Sequence, residues 1–365
     1  MERFVGQKLR GRPHLAVLFY DSIGDFVVGT PLLRGLREKY PGCVIDYFSG
    51  ERTRELEEAS SLIDWRCSLF GVEGSLRALP GQLAEREQIA GPYDLAINLD
   101  YHAVNQVVVP MLSPRYVVGA SYEMDPRRAL PQSSEKVDGL HAEFWSSPDL
   151  LTRYGDVLHS CYIGEIFCRL ARVETDFYRT MVPAESPPLP VPPLLISTGG
   201  NRSAKLWPSE HWRRLLEWAA AGGWEAGLLG GRPSEQARFY HSAQMEEALL
   251  EARLGKWRLT DLRGKMTLPQ VAGALRQARA CVTVDNGIMH LSAAVGTPTI
   301  AIFGASPWEV WAPRSPTAQI VLPAEPCPMC EDNRFRNEAC LRPSHVCMLS
   351  IGPELVIERL RPLLE

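Results

Sequence analysis

The stretch ACVTVDNGIMHLSAA, residues 280–294, shows the alternation that decides the fold. Its first five residues are apolar or β-branched, which is typical of a strand buried on both faces of a parallel sheet. Asp285, Asn286 and Gly287 follow directly, and a run of small residues with helical spacing comes next. A strand that passes into a helix through a short polar turn is the basic unit of a parallel α/β sheet.

The same order of strand and helix recurs on both sides of this stretch. We expect strands at 14–20, 43–49, 94–99 and 116–119 in the first half, and at 194–198, 225–230, 259–262, 280–285 and 298–303 in the second. Predicted helices lie at 26–40, 150–173, 209–221, 234–254, 268–279, 287–295 and 353–363. The chain is therefore predicted to be an α/β protein of the doubly wound kind.

Residues 183–193, PAESPPLPVPP, contain six prolines in eleven positions and separate two similar halves. Proline lacks the amide that a helix or a central strand needs, so this segment is predicted to be a semi-rigid linker. The predicted domains are residues 1–182 and 194–365. The second includes a cysteine-rich loop at 325–348 and a C-terminal helix. Two Rossmann-like domains of this kind are expected to face each other across a ligand cleft.

Composition excludes several classes of protein. The 365 residues are 45% hydrophobic and 22% charged, and their net charge of −4 gives no bulk attraction to nucleic acid or anionic lipid. Residues 1–6 lack the apolar stretch of a secretory signal, and charges or prolines interrupt each apolar run before it reaches membrane-spanning length. We expect a cytoplasmic protein with no nucleic-acid partner and no transmembrane segment, while peripheral association with the inner membrane stays open.

The first of three polar turns that carry candidate chemistry is DSIGDF, residues 21–26. It lacks the three-glycine pattern of dinucleotide-binding turns, so a nicotinamide or flavin site is not expected. Gly24 supports the turn, and Asp25 has two interpretations. It either caps the following helix or presents a carboxylate at the end of the strand.

The second turn is STGGNRSAK, residues 197–205. Small residues let a phosphate approach the backbone, and Lys205, expected to be exposed, supplies a charge to neutralise it. A solvated loop is the alternative, but it does not explain why Trp207 and Trp212 flank the turn.

The third turn is formed by Asp285, Asn286 and Gly287. The helix that begins there would direct unpaired amides at a diphosphate. Alternatively, Asp285 or Asn286 is only the helix cap and His290 a packed histidine.

The order and spacing of these turns resemble glycosyltransferase family 9, which includes the ADP-heptose:lipopolysaccharide heptosyltransferases. The resemblance rests on Gly-Asp at 24–25, Lys-x-Trp-Pro-x-x-x-Trp at 205–212, Leu-x-Gly-x-x-x-Leu at 262–268 and Asp-x-Gly-x-x-His at 285–290, and segments 303–305, 311–313 and 347–356 continue it. It spans almost the whole chain and is most specific in the second half. It is looser between about residues 51 and 180, where the acceptor would bind.

The resemblance implies a GT-B fold and an inverting, single-displacement transfer of a sugar, with ADP-heptose the favoured donor. Asp25 would be the general base that removes the proton of the acceptor hydroxyl, and Lys205 would neutralise the departing diphosphate. The other donor- or phosphate-binding positions implied are Asn201, Gly264, Met266, Asp285, Asn286, Gly287 and His290. Family members commonly have Thr in place of Asn286, which implies altered donor contacts and retained activity. No catalytic metal is expected, and the chain contains no Asp-x-Asp sequence.

Four of the nine cysteines are clustered, namely Cys327, Cys330, Cys340 and Cys347. Their spacing suits a structural zinc or iron ion held by four thiolates, and His345 is a possible substitute ligand. Two disulfides, which a cytosolic location disfavours, and four unligated thiols are the alternatives. Some family 9 members carry a similar cluster, and in a protein-glycosylating subgroup it holds iron. Because the cluster is far along the chain from Lys205, we expect its loss to lower stability and to leave catalysis intact.

Two other functions fit the same predicted architecture. A nucleotide-sugar epimerase would use the same diphosphate site, and a non-catalytic nucleotide-sugar-binding protein would need neither Asp25 nor turnover. The acceptor is left open as a lipopolysaccharide core or other lipid-linked glycan, a protein or a small-molecule glycan. Arginines in the first domain, which would suit an acidic acceptor, are diluted by neighbouring glutamates.

Overall fold

The chain folds into two compact units, Met1–Met181 and Val182–Glu365. The computed structural model describes residues 1–9, 11–70, 75–125, 127–234, 241–256, 259–325 and 327–365. Each unit is built on a six-stranded sheet whose neighbouring strands are all parallel. The predicted α/β class is therefore confirmed.

The first sheet has the strand order β1-β6-β5-β2-β3-β4. Its strands are β1 Glu2–Arg3, β2 His14–Leu18, β3 Val44–Gly50, β4 Trp65–Phe70, β5 Leu95–Asn98 and β6 Tyr116–Gly119. Its helices are α1 Ile23–Lys39, α2 Arg54–Glu58, α3 Ser75–Ala90, α4 Ala103–Met111, α5 Lys136–Gly139, α6 Leu150–Tyr154 and α7 Ile163–Leu170. The two edge strands, β1 and β4, were not predicted, because β1 has two residues and β4 is only half buried.

The single helix predicted at 150–173 is wrong, since α6 and α7 are separate helices. The wholly buried carboxylate of Glu165 accepts hydrogen bonds from the amides of His159 and Ser160, at 2.8 and 2.9 Å. These bonds stabilise a bend between the two helices, because amides bonded to a side chain are not available to continue a helix.

The second sheet has the order β12-β11-β10-β7-β8-β9. Its strands are β7 Leu194–Ser197, β8 Ala226–Leu228, β9 Leu259–Asp261, β10 Ala280–Val284, β11 Thr299–Ile302 and β12 Ala318–Val321. Its helices are α8 Ser209–Ala221, α9 Ala243–Lys256, α10 Leu268–Gln277, α11 Gly287–Ala294, α12 Trp308–Trp311, α13 Met329–Asp332, α14 Val346–Ser350 and α15 Pro353–Leu364. Part of the helix predicted at 234–254, residues 235–240, lies outside the described residues.

Strand β10 lies between β7 and β11, with Thr283 paired to Ser197 on one side and to Ala301 on the other. The carboxyl ends of β7 and β10 are therefore adjacent, and the loops that begin at Thr198 and Asp285 start side by side. Ligands of open parallel sheets bind beyond such strand ends. The fold thus brings the second and third polar turns of the sequence together.

Trp207 and Trp212 are core residues. Both are fully buried, and their rings meet edge to face with centroids 4.9 Å apart. The Trp207 indole nitrogen donates to the carbonyl of Ile351 at 2.7 Å. Packing of the second unit therefore explains why these two tryptophans flank the 197–205 turn, so their position does not favour a phosphate site over a solvated loop.

The start of the proline-rich segment is attached to α10. The amide of Glu185 donates to the carbonyl of Pro269 at 2.9 Å. A Cβ atom at Gly273 would lie only 1.6 Å from the Glu185 carbonyl oxygen, so the backbone approaches the helix closely at a glycine. This part of the predicted linker therefore packs as part of the second unit.

In the part of the chain that the structure describes, no helix combines the length and the apolar character needed to cross a bilayer.

Candidate functional site

Helix α1 begins at Ile23, earlier than predicted, and Ser22 is its N-cap residue. Gly24 and Asp25 therefore lie in the first helical turn, so the predicted role of Gly24 in a preceding turn is wrong. The interpretation of Asp25 as the helix cap is wrong for the same reason. Asp25 is partly exposed, and the positive end of the helix dipole stabilises a carboxylate at this position.

Asp21, which the sequence analysis did not single out, is a buried carboxyl group between β2 and α1. Burial raises its pKa above the ordinary value, although the amide of Arg52 donates to Oδ1 at 2.8 Å. A Cβ at Gly50 would lie 2.2 Å from Asp21 Cγ, so the end of β3 packs tightly on this side chain. Asp21 therefore fixes the loop that leads to Asp25.

A histidine–aspartate pair follows strand β5, the sheet neighbour of β2. His102 Nδ1 lies 2.7 Å from Asp100 Oδ1, and the imidazole stacks on the Tyr20 ring with centroids 4.2 Å apart. The His102 side chain is 48% exposed, and a histidine at such a place is a candidate for hydrogen bonding or proton transfer. The signal that could have found this pair is Asp-Tyr-His placed directly after a buried strand.

Lys205 and Asp285 form an ion pair at the carboxyl ends of β7 and β10. Lys205 ends a 3-10 turn, Ser203–Lys205, and its Nζ lies 2.7 Å from Asp285 Oδ2. The two side chains are 15% and 9% exposed, so the expectation of an exposed lysine is wrong. The structure brings these two predicted site residues together.

The ion pair affects the pKa values of Asp285 and of the neighbouring His290. Burial alone would raise the pKa of Asp285, but the charge and hydrogen bond of Lys205, with a bond from Ser306, hold it below the ordinary value. Burial lowers the pKa of His290 to about 4, helped by Lys205 and opposed by Asp285. At neutral pH His290 is therefore an uncharged hydrogen-bonding group.

Asn286 is the N-cap of α11, which agrees with the alternative that Asp285 or Asn286 caps this helix. Its Oδ1 accepts from the amides of Ile288 and Met289, at 3.0 and 3.2 Å. Its Nδ2 donates to the carbonyl of Gly199 at 2.8 Å and so ties the two turns together. Two of the amides predicted to meet a diphosphate are thus already bonded, which leaves Asn286 a bracing function.

The remaining predicted donor positions lie in turns of the same unit. Gly264 has φ +62°, and its amide donates to the carbonyl of Gly230 at 2.9 Å. A Cβ there would lie 2.3 Å from Arg232 Cγ, so both the backbone angle and the space call for glycine. Met266 is partly exposed in this turn, Asn201 is exposed before the Ser203–Lys205 turn, and Gly287 opens α11.

Of the four clustered cysteines, Cys327 packs against the core cluster that contains Cys347. Burial raises the pKa of the Cys347 thiol to about 11, and the charges of Cys327, Cys330 and Cys340 add to that rise. Over the described ranges, however, no three histidine, cysteine, aspartate or glutamate side chains are arranged to hold a metal ion. Cys330 Sγ accepts from Asn337 Nδ2 at 3.3 Å, and His345 Nε2 lies 2.7 Å from the carbonyl oxygen of Ala204. The donor atoms suit zinc or iron, but this conformation does not assemble them.

The cysteine-rich loop also contacts the Lys205 turn, since the amide of Ala204 donates to the carbonyl of Glu338 at 3.0 Å. The long separation from Lys205 in sequence does not keep the loop apart from it, because the loop folds back onto the turn that follows β7. That loss of the cluster leaves catalysis intact stays a prediction.

Solved structures of glycosyltransferases share this architecture. The ADP-heptose lipopolysaccharide heptosyltransferase II of Escherichia coli is 20% identical with a TM-score of 0.69, over 96% of this chain and 98% of that one. The iron-containing dodecameric heptosyltransferase TibC, solved in complex with ADP-D-beta-D-heptose, is 14% identical with a TM-score of 0.57, over 98% and 77%. These likenesses show that the chain has the GT-B fold.

Sequence comparison then gives the family. A sequence model of glycosyltransferase family 9 (heptosyltransferase) matches residues 86–340. The chain belongs to glycosyltransferase family 9. Lipopolysaccharide heptosyltransferase 1 of Pseudomonas aeruginosa is 35% identical over 114 residues, which are 31% of this chain and 29% of that protein. The matched stretch thus covers less than a third of that relative's length.

Proposed function

We propose that this chain is an inverting glycosyltransferase that moves a sugar, with heptose favoured, from an ADP-sugar to an acceptor hydroxyl. The observation that carries the proposal is the Lys205–Asp285 pair, which places a cation beyond the ends of β7 and β10. Membership of family 9, and the complex of the structurally similar TibC with ADP-D-beta-D-heptose, support the choice of donor.

The proposed reaction forms one bond as another breaks. The acceptor oxygen attacks the anomeric carbon, the bond from that carbon to the diphosphate oxygen breaks, and the acceptor proton passes to Asp25. The departing ADP gains negative charge, which Lys205 neutralises. Because an ammonium group has three donor hydrogens, Nζ can keep its bond to Asp285 and direct the others at the diphosphate.

The other residues have supporting roles in this proposal. Asp285 orients Lys205 and can accept a hydrogen bond from a hydroxyl of the donor sugar. His290, uncharged at neutral pH, hydrogen-bonds without adding charge. The Gly264 turn, with Met266, would face the nucleobase, and Asn201 lies at the start of the phosphate turn. Because Lys205 neutralises the charge of the departing ADP, the proposed reaction does not require a catalytic metal ion.

The acceptor belongs to the first unit in this proposal. Tyr20 and the His102–Asp100 pair offer exposed aromatic and hydrogen-bonding groups near the end of β2, which suit a sugar ring. A lipopolysaccharide core is the favoured acceptor because the relatives named above are lipopolysaccharide heptosyltransferases. A protein hydroxyl and a small-molecule glycan are the other acceptors to be tested.

The function is tested by incubating the protein with isotope-labelled nucleotide sugars and candidate acceptors, and by mass spectrometry of the products. Transfer of label from ADP-heptose to an acceptor supports the proposal. Label that stays on the nucleotide as a changed sugar indicates an epimerase. Binding of the nucleotide sugar without any product indicates a binding protein.

We further propose that the cysteine cluster binds about one zinc or iron ion per chain after its thiols rearrange. The four cysteines lie in one loop, in which Cys327 packs against the core cluster that contains Cys347, and the iron-containing TibC has the same fold. Such a crosslink would stabilise the loop between β12 and α15, because its residues 325–344 have little apolar content.

Cys330→Ser should therefore lower both metal content and melting temperature. Elemental analysis and thermal denaturation measure the two quantities, and Cys161→Ser serves as the control from outside the cluster. Absence of metal in the unmodified protein, or equal metal content in both variants, would contradict the metal proposal.

A further inference from the structure

We propose that the cysteine-rich loop supplies two positioning residues of the donor site, Glu338 and His345, which hold the turn that carries Lys205. The inference rests on the proposed function, because it concerns how Lys205 meets the diphosphate of the donor. It assigns to this loop a task in donor binding in addition to its effect on stability. The contacts that carry it come from both the side chains and the backbone of the loop.

Glu338 contacts two consecutive residues of the turn. Its Oε1 accepts from the amide of Ser203 at 3.1 Å. Its backbone carbonyl accepts from the Ser203 hydroxyl at 3.1 Å and from the amide of Ala204 at 3.0 Å. Three donors of the turn are thus bonded to a single residue of the loop.

His345 bonds to a carbonyl group of the turn, whereas Glu338 bonds to its donors. Its Nε2 lies 2.7 Å from the carbonyl oxygen of Ala204. A carbonyl oxygen can only accept, so Nε2 donates and carries the hydrogen. Arg202, the residue before the turn, donates from Nη1 to the carbonyl of Asn337 at 3.1 Å. Residues 202, 203 and 204 are therefore each bonded to the segment 337–345.

These bonds determine where the Lys205 side chain starts. The amide of Lys205 donates to the carbonyl of Arg202 at 3.0 Å, so the lysine backbone is fixed to the residue that Asn337 holds. Its Nζ then reaches Asp285 at 2.7 Å. A change of about 1 Å in this backbone would move the ammonium group away from the position a diphosphate needs, and small misplacements are costly in active sites.

The occupied amides also restrict how the diphosphate binds. Since the amides of Ser203 and Ala204 are donated to Glu338, they are not available to phosphate oxygens. The turn therefore offers the donor mainly the Lys205 ammonium group. Affinity for ADP should depend strongly on how well that one group is placed.

The experiment measures ADP affinity by calorimetry and melting temperature in the full-length protein. Glu338→Ala and His345→Ala should each raise the Kd for ADP about fivefold, and the double variant about twentyfold, because each removes one hydrogen bond to the turn. Glu338→Gln and His345→Gln should stay within about twofold of the unmodified protein, since each keeps an acceptor or a donor at a similar position. Asp332→Ala is the matched control, an exposed acidic residue of the same loop.

A double variant that is folded and binds ADP as the unmodified protein does would overturn the positioning roles, even if it melts at a lower temperature. If Glu338→Ala does not fold, the comparison of His345→Ala with His345→Gln decides, because that side chain makes a single contact to the turn. An unmodified protein that does not bind ADP would overturn the proposed donor together with this inference. Unchanged affinity in the variants of an ADP-binding protein overturns the inference alone.

Discussion

Asp25→Asn should reduce the rate of sugar transfer by about a hundredfold to ten-thousandfold, the usual loss when a general base is removed. Affinity for ADP should stay within a few fold, because Asp25 belongs to the first unit and the Lys205–Asp285 pair to the second. Asparagine has nearly the same shape as aspartate, so the fold of α1 should be retained. Single-turnover kinetics and calorimetry with ADP measure the two effects separately.

The His102–Asp100 pair provides the matched comparison for this result, since it also follows a strand of the first sheet. His102→Gln should leave most of the transfer rate if Asp25 is the base. Near-normal transfer by Asp25→Asn together with a large loss in His102→Gln would assign the proton transfer to His102. Normal rates in both variants would show that neither group is the base.

Lys205→Ala should weaken ADP binding, slow transfer and destabilise the second unit at the same time. The variant leaves Asp285 buried without its cation, and removing one partner of a buried ion pair costs about 3 kcal/mol or more. An exposed lysine, as the sequence analysis expected, would have had little effect on stability, but Lys205 is only 15% exposed. Denaturant unfolding and calorimetry with ADP provide the measurements.

The double variant Lys205→Ala with Asp285→Asn separates the two effects. It should recover part of the lost stability, because asparagine leaves no unpaired charge, and it should not recover ADP affinity. The pKa of Asp285 lies below its ordinary value of 3.8, so the stabilisation by the pair is present at neutral pH and is lost only as the pH falls through that lowered pKa. Equal stability of the single variant and the unmodified protein at pH 7 would contradict the pairing.

The sequence predicts the central strands well because their buried faces require continuous apolar runs, as in β2 and β10. It does not predict β1 or β12, since a two-residue or half-buried edge strand has no distinct pattern. The bend between α6 and α7 depends on the buried Glu165, whose partners are set by tertiary contacts. Helical periodicity alone extends through that bend.

In the candidate site, too, local sequence predicts some features and tertiary contacts determine the others. Residue types and spacing nominate Asp25, Lys205 and Asp285, but only the adjacency of β7 and β10 pairs the lysine with the aspartate. The contact of Glu338 with the Ser203–Lys205 turn joins segments far apart in sequence. No local pattern contains such a contact, which is why the cysteine-rich loop was expected to be remote.

The packing of Glu185 against α10 has a practical consequence for expressing the second unit alone. A fragment that starts at Leu194, where the first strand begins, would leave the Gly273 surface of α10 bare and the Pro269 carbonyl without its partner. A fragment that starts at Val182 keeps this cover. The shorter fragment should therefore be less soluble and more easily digested by proteases, even though it contains each strand of its sheet.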